Sequence, residues 1–289
     1  MLSARKVPAA STDGQGTGSI CSPDEIMRLP RTFIPALIGL AIAACSPPVA
    51  TVREPATATQ ERSAAECRGL YLGGSEPSLP PSQAADADRL CFETFAVLHS
   101  PRTRTALWSA EFLSEGIVRQ ARRLERTSDF YSEPGLAAPA RANLEDYRRS
   151  GFDRGHLAPS GDMPTVSAQQ ESFSLANIVP QNGTLNRGDW ADLESDVRDT
   201  AQRYGVAYVV TGPMFIGDEI DTLRGRVAVP TVLWKAVHVP GHGAVVTVAT
   251  NEPQSRFEVM TVGAFTARYG IDPFPALAAA DRGILLKLL

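Results

Sequence analysis

The sequence predicts an α+β domain built around a mostly antiparallel β-sheet. Three observations carry this. The runs "VAYVVTGPMF" (206–215), "RVAVPTVLWKAVHVP" (226–240) and "AVVTVATNEP" (244–253) are rich in β-branched residues and bounded by Gly and Pro, as strands are. One long stretch, "NRGDWADLESDVRDTAQRYG" (186–205), sets Trp190, Leu193, Val197 and Ala201 at helical spacing and ends on Gly205. Few other helical patterns fall between the strands, so alternating parallel βαβ units are not expected.

The N-terminal quarter reads differently. Residues 1–26 are small and polar without periodicity, and then comes "MRLPRTFIPALIGLAIAACSPP" (27–48). Met27, two arginines, an apolar run from Phe33 to Ala44 and small residues before Cys45 have the layout of an export signal. The run is shorter than the ~20 apolar residues of a membrane-spanning helix. Ile42-Ala43-Ala44-Cys45 resembles a bacterial lipobox, in which the cysteine is lipidated and becomes the new N-terminus. Residues 1–45 are therefore expected to be a leader, with Met27 the true start and Cys45 the membrane anchor. Residues 46–66, rich in Pro, Ala, Thr and Glu, read as a disordered tether. Residues 67–289 read as one folded domain, exported to the periplasm or cell envelope. Of four cysteines, Cys21 would leave with the leader, and Cys67 and Cys91 remain as a disulfide pair in an oxidising compartment. That bridge would pin "GLYLGGSEPSLPPSQ" (69–83) against the first strand.

Within the body, "CFETFAVLHS" (91–100) and "TALWSAEFLS" (105–114) read as strands joined by a "PRTR" turn. Residues 117–150 have loop character, "ANIVPQ" (176–181) is a short apolar piece, and a helix is expected over 262–269. "TGP" (211–213) reads as a packing turn. The formal net charge of −4 carries no global basic signature, so any polyanion would have to be met by a local patch.

The segment "GFDRGHLAPSGDM" (151–163) carries the chemistry. His156 is one of only four histidines. Arg154 is two residues away, on the same face of an extended chain. Asn177, Gln181, Asn182, Asn186 and Glu194 follow. A near-neutral histidine can take a proton from water. Amide and carboxylate oxygens suit Mg²⁺, and the arginine fork fits phosphate oxygens. Base, hard cation and phosphate clamp together describe phosphodiester hydrolysis.

"DRGH" followed by "LANIVPQNGTLNRGDWADLE" resembles the DNA/RNA non-specific endonucleases, the sugar-nonspecific nucleases with a ββα-metal core. "SPRTRTALWSAEFL", "DYRRSGFDRGHLAP", "NIVPQ", "LNRGDWADLE", "VVTGPMF", "VPTVLWKAV" and "GIDPFPAL" occur in the family's order, covering nearly the whole chain from Cys67 on. The resemblance implies His156 as general base and Asn186 as the one direct protein ligand of Mg²⁺, with Mn²⁺ an alternative ion. It implies Glu194 as holder of the ion through water, Arg154 facing the phosphate, Asn177 as a site asparagine and Arg126 as a second substrate arginine. It implies DNA and RNA as substrates and 5′-phosphate products. On one continuous helix, Asn186 and Glu194 would lie within ~80° of each other but ~12 Å apart along the axis, which favours one direct ligand and one water-holder.

Other readings of the same residues exist. Asn186 could cap a helix N-terminus, Glu194 could be a solvated helix carboxylate, and Asp153 reads as structural support for the strand or the arginine. A surface lipoprotein that captures nucleic acid without cutting it would need neither base nor metal ligand. A phosphodiesterase acting on small molecules would use the same groups. Oligomeric state has no signature in the sequence.

Overall fold

The computed structural model describes Arg62 and residues 64–126 and 129–288, and one antiparallel sheet organises them. The leader with Cys21, Met27 and Cys45, and most of the tether, lie outside the described residues. The elements are α1 (Ala64–Cys67), α2 (Pro81–Ala84), β1 (Asp88–Cys91), β2 (Phe95–Ser100), β3 (Thr105–Ser114), α3 (Glu115–Ala121), α4 (Leu144–Tyr147), β4 (Asp153–His156), α5 (Val166–Ser172), β5 (Ile178–Gln181), α6 (Gly183–Arg187), α7 (Asp189–Tyr204), β6 (Val206–Met214), β7 (Thr222–Leu223), β8 (Val227–Ala228), β9 (Val232–Val239), β10 (Gly243–Thr250), β11 (Phe257–Met260) and α8 (Val262–Tyr269). The fold is α+β, as expected.

Seven strands form the main sheet in the order β1-β2-β3-β6-β9-β10-β11, every pair antiparallel. Both faces are covered. Trp108, Val210, Trp234 and Val246 pack on one side with Phe265 of α8 and Phe274. Val97, Leu233 and Ala249 on the other side meet Trp190 and Leu193 of α7, and Val209, Val237 and Val245 meet Val197 and Ala201. A strand buried on both faces lacks the regular alternation of polar positions, which is why these segments appear in the sequence as nearly continuous apolar runs. Among the described residues, no helix is long and apolar enough to cross a membrane.

Cys67 and Cys91 are bonded, with Cα atoms 5.8 Å apart. The bridge ties the end of α1 to the end of β1 and encloses residues 69–83. Among the described residues, regular structure begins at Ala64, three residues before the expected boundary, and the Arg62 guanidinium donates to the Glu171 carboxylate at 2.9 Å.

Three local expectations are corrected. Residues 115–121 are helix rather than loop, capped by Ser114 Oγ accepting from the Ile117 N–H, and α4 is a single turn within the same stretch. Both are too short to show a 3.6-residue period. The "TGP" segment lies inside β6, not in a turn. The expected single helix over 186–205 is two: α6 ends at Arg187, and α7 starts after Gly188. A side chain at Gly188 would put its Cβ 2.9 Å from the Thr184 carbonyl oxygen, so the break needs glycine. Asn186 is thus in the last turn of α6. The residue capping α6 is Asn182, whose side chain accepts from the N–H groups of Thr184 and Leu185.

Candidate active site

Strands β4 and β5 form a separate two-stranded antiparallel sheet in which His156 faces Ile178, Gly155 faces Val179 and Asp153 faces Gln181. Gly155 admits this pairing: a Cβ there would lie 2.6 Å from the Gln181 Cβ. The glycine before the histidine therefore lets β5 come close enough to hold His156 in place. Beyond His156, the chain is clamped by Asn177. The Leu157 N–H donates to the Asn177 carbonyl (3.0 Å), the Ala158 N–H donates to Asn177 Oδ1 (3.0 Å), and Asn177 Nδ2 donates to the carbonyls of Ala158 (2.9 Å) and Ser172 (3.0 Å).

An open cleft of about 560 Å³ lies where the small sheet, α6 and α7 meet. It brings together Arg126, Arg154, His156, Asn186 and Glu194, five of the six residues singled out above for the reaction. The sixth, Asn177, is absent from its lining. Asn177 is fully buried, and its amide is spent on backbone, so the structure places it behind the site as a brace for the His156 loop.

His156 is nearly buried, its Nε2 has no hydrogen-bond partner, and its ring lies 5.5 Å from Phe130 and 5.0 Å from Phe173, centre to centre. Burial, reinforced by the nearby Arg126 charge, pushes its pKa down to about 3, so the imidazole is neutral at ordinary pH. The Arg154 guanidinium stacks 4.3 Å over the Phe130 ring, and Arg126 lies 5.8 Å from Phe173.

Asn186 is held by Asp153. Its Nδ2 donates to Asp153 Oδ2 at 3.0 Å, and Arg187 is ion-paired with the same oxygen. With Nδ2 committed to a carboxylate, Oδ1 is the amide's available acceptor, which is the atom a hard cation needs. Burial raises the Glu194 carboxyl to about 7, against the pull of Lys235. Arg198, one helical turn beyond Glu194, also lines the cleft, and its guanidinium donates at 2.8 Å to the buried Asp162. Four guanidinium groups against the carboxylates of Asp153 and Glu194 leave the cleft locally positive in a chain whose net charge is −4.

Sequence reasoning missed Phe130, Arg187 and Arg198; it read Asp153 as support for the strand or the arginine of the motif, and the groups it supports are the Asn186 amide and Arg187. Arg198 had a signal, since it lies four residues from Glu194 on a clear helix. Phe130 sits in a stretch without periodicity and had none.

Residues 78–275 match the model of the DNA/RNA non-specific endonucleases. The chain belongs to this family. Members are hydrolases of phosphodiester bonds. The chain is 33% identical over 189 residues to Nuclease C1 of Cunninghamella echinulata var. echinulata, covering 58% of this chain and 75% of that one. It is 31% identical over 215 residues to a nuclease of Nostoc sp., covering 73% and 75%. With human mitochondrial endonuclease G it shares 34% over 169 residues, covering 55% and 57%, so the match spans little more than half of that relative. A solved structure of an EndoG/EndoGI complex superposes with a TM-score of 0.62 at 23% identity, covering 77% of this chain and 96% of that one, a likeness of fold. The matched residues 78–275 contain the main sheet, the small β4–β5 sheet and all the residues that line the cleft.

Proposed function

We propose that this domain is a divalent-cation-dependent endonuclease that hydrolyses the phosphodiester bonds of both DNA and RNA and leaves 5′-phosphate ends. The observation that carries the reading is the convergence on one locally positive cleft of a neutral, unpartnered imidazole, a carboxylate-oriented amide oxygen and a set of guanidinium groups. The donor set fits a hard cation: Asn186 Oδ1 would hold Mg²⁺ or Mn²⁺ directly, and Glu194 would hold it through water. When bound, the ion supplies Lewis-acid polarisation of a phosphoryl oxygen and neutralises charge on the leaving 3′ oxygen.

The chain's own groups do the rest. His156 Nε2 accepts a proton from the water that attacks phosphorus. The entering phosphate brings negative charge beside the imidazole and so raises its low proton affinity toward the working range. Arg154, with its guanidinium fixed on Phe130, and Arg126 bind the non-bridging oxygens. Arg198, held by Asp162, adds charge on the α7 side. Asp153 keeps the Asn186 amide in one orientation. All these groups address backbone phosphate, so weak sequence preference follows, and none requires a 2′-hydroxyl.

Incubating the purified protein with supercoiled plasmid and with RNA, with Mg²⁺ and with excess chelator, tests this. Cleavage of both polymers in Mg²⁺ and none in chelator is expected, whereas chelator-resistant cleavage or binding without cleavage would refute it. The lipobox-like Ile42–Cys45 supports a further reading, export and anchoring of the mature chain to a cell-envelope membrane through Cys45. Fatty-acid labelling of the wild type and release by Cys45→Ser is the expected result, and an unlabelled, soluble wild type contradicts it.

A further inference from the structure

A polar row, with the buried Glu111 of β3 beside it, crosses the otherwise apolar sheet face beneath the cleft. Ser109 of β3, Thr211 of β6, Lys235 of β9 and Thr247 of β10 are register partners across four adjacent strands. Their neighbours on the same face, Val97, Leu233 and Ala249, belong to the apolar cluster under α7. The row's charge is Lys235, which is 2% exposed. A buried ammonium is expensive and is expected only where its donors are used. A methionine would fill the same space without that cost.

The Lys235 donors reach across elements. Nζ donates to Thr211 Oγ1 at 2.6 Å and, in a longer contact of 3.4 Å, to the backbone carbonyl of Leu157. It also lies 5.5 Å from the centre of the Trp190 ring. Leu157 is the residue after His156, and Trp190 lies on α7 one turn before Glu194. Asn177 already holds the same loop from its other side, through the Leu157 N–H and both polar backbone groups of Ala158. The Leu157 carbonyl is the group turned toward the sheet, and Lys235 is its donor. The ammonium is also electrostatically central: burial raises the carboxyls of Glu111, Asp162 and Glu194, and Lys235 pulls each back.

We propose that Lys235 is a positioning residue for the hydrolysis, fixing the His156 loop against the main sheet and α7 so that the base and the metal-side residues keep their separation. This rests on the roles given to His156 and Glu194 under the proposed function. Lys235 touches neither phosphate nor cation; it acts through the Leu157 backbone and Trp190.

The test uses the full chain as wild type, Lys235→Met, Thr211→Val and Thr211→Ser. Measured are kcat and KM on DNA, the Mg²⁺ midpoint, the thermal midpoint, and the ring ¹H–¹³C signals of the four histidines, with His156 assigned by its loss in His156→Gln. Lys235→Met is expected to lower kcat by ~10–100-fold, the range typical of groups that orient catalytic side chains. KM and the Mg²⁺ midpoint should stay within about 2-fold. The His156 signal should move while those of His238 and His242 stay. Thr211→Val should show the same pattern more weakly, and Thr211→Ser, which keeps the hydroxyl, should restore it. The proposal is overturned if Lys235→Met keeps kcat within about 3-fold of wild type, if the His156 signal is unmoved, or if all four signals move together with a lowered thermal midpoint. If the wild type does not hydrolyse nucleic acid, the reaction reading fails by itself. The histidine spectra then decide the structural claim: an unmoved His156 signal overturns it, and a selectively moved one upholds it.

Discussion

Gly155→Ala is a one-methyl perturbation whose consequence can be worked from distances. A Cβ at 155 would lie 2.6 Å from the Gln181 Cβ and 3.0 Å from its Cδ. Carbon atoms rest at ~3.5–4.0 Å, so the deficit is about 1 Å. The nearest atom is Gln181 Oε1 at 2.1 Å, which rotating the side chain could move, but Gln181 is fully buried and its Cβ is fixed to the β5 backbone, so the 2.6 Å contact stays. Strands β4 and β5 must part by about that distance, and His156, the next residue, moves with β4. Displacing a catalytic group by about 1 Å costs on the order of 10²-fold in rate. Overpacking a filled site costs about 1–3 kcal/mol, or roughly 2–12 °C in thermal midpoint for a domain of this size. The assay is the initial rate of plasmid cleavage at saturating Mg²⁺, well below the measured midpoint, with circular dichroism confirming the folded fraction. A folded Gly155→Ala protein with the wild-type rate would refute the claim that close β4–β5 pairing places the base.

Three further outcomes are expected. Asn177→Ala removes one acceptor and two donor bonds from the His156 loop and should cost about 2–3 kcal/mol in urea unfolding. Its kcat should fall ~10–100-fold with KM little changed; a rise in KM alone would mean that Asn177 contacts substrate. Asp153→Ala frees the Asn186 amide and should raise the Mg²⁺ midpoint ~10–100-fold, read by titrating activity with Mg²⁺; an unchanged midpoint would remove Asp153 from that role. Burial lowers His99 to about 4 from its ordinary value of about 6.5. Between those values the unfolded chain takes up a proton that the folded chain refuses, so stability falls as pH drops from about 6.5 toward 4. His99→Met should therefore lose less stability than wild type between pH 7.5 and pH 5 in urea titrations, and equal slopes would contradict this.

How far the molecule can be read from its sequence depends on the range of the interaction involved. The central strands were legible because burial on both faces makes them β-branched runs, and α7 because sixteen residues suffice to show its apolar stripe. The seven-residue α3 and one-turn α4 show no such stripe. The break at Gly188 was not legible, because the close Thr184 carbonyl that demands glycine there exists only once α6 has folded. At the site, residue types and motif order singled out His156, Arg154, Arg126, Asn186 and Glu194, which share one cleft. Asn177 belongs to the same motif order yet faces away from the cleft, because motif order does not specify whether a side chain meets ligand or backbone. Lys235 left a mark that went unused: it is the single charge in the apolar run "VPTVLWKAV", a position where burial demands a partner.

The central claim is a division of labour, with His156 the base and Asn186 the cation ligand. The most direct measurement is the cleavage rate as a function of Mg²⁺ concentration for wild type, His156→Ala and Asn186→Ala. His156→Ala should lower the saturated rate by ~10²–10⁴-fold and leave the Mg²⁺ midpoint in place, with added imidazole restoring part of the rate. Asn186→Ala should move the midpoint upward and regain activity with excess Mg²⁺. A His156→Ala protein whose midpoint rises while its saturated rate is preserved would make His156 a metal ligand and contradict the account.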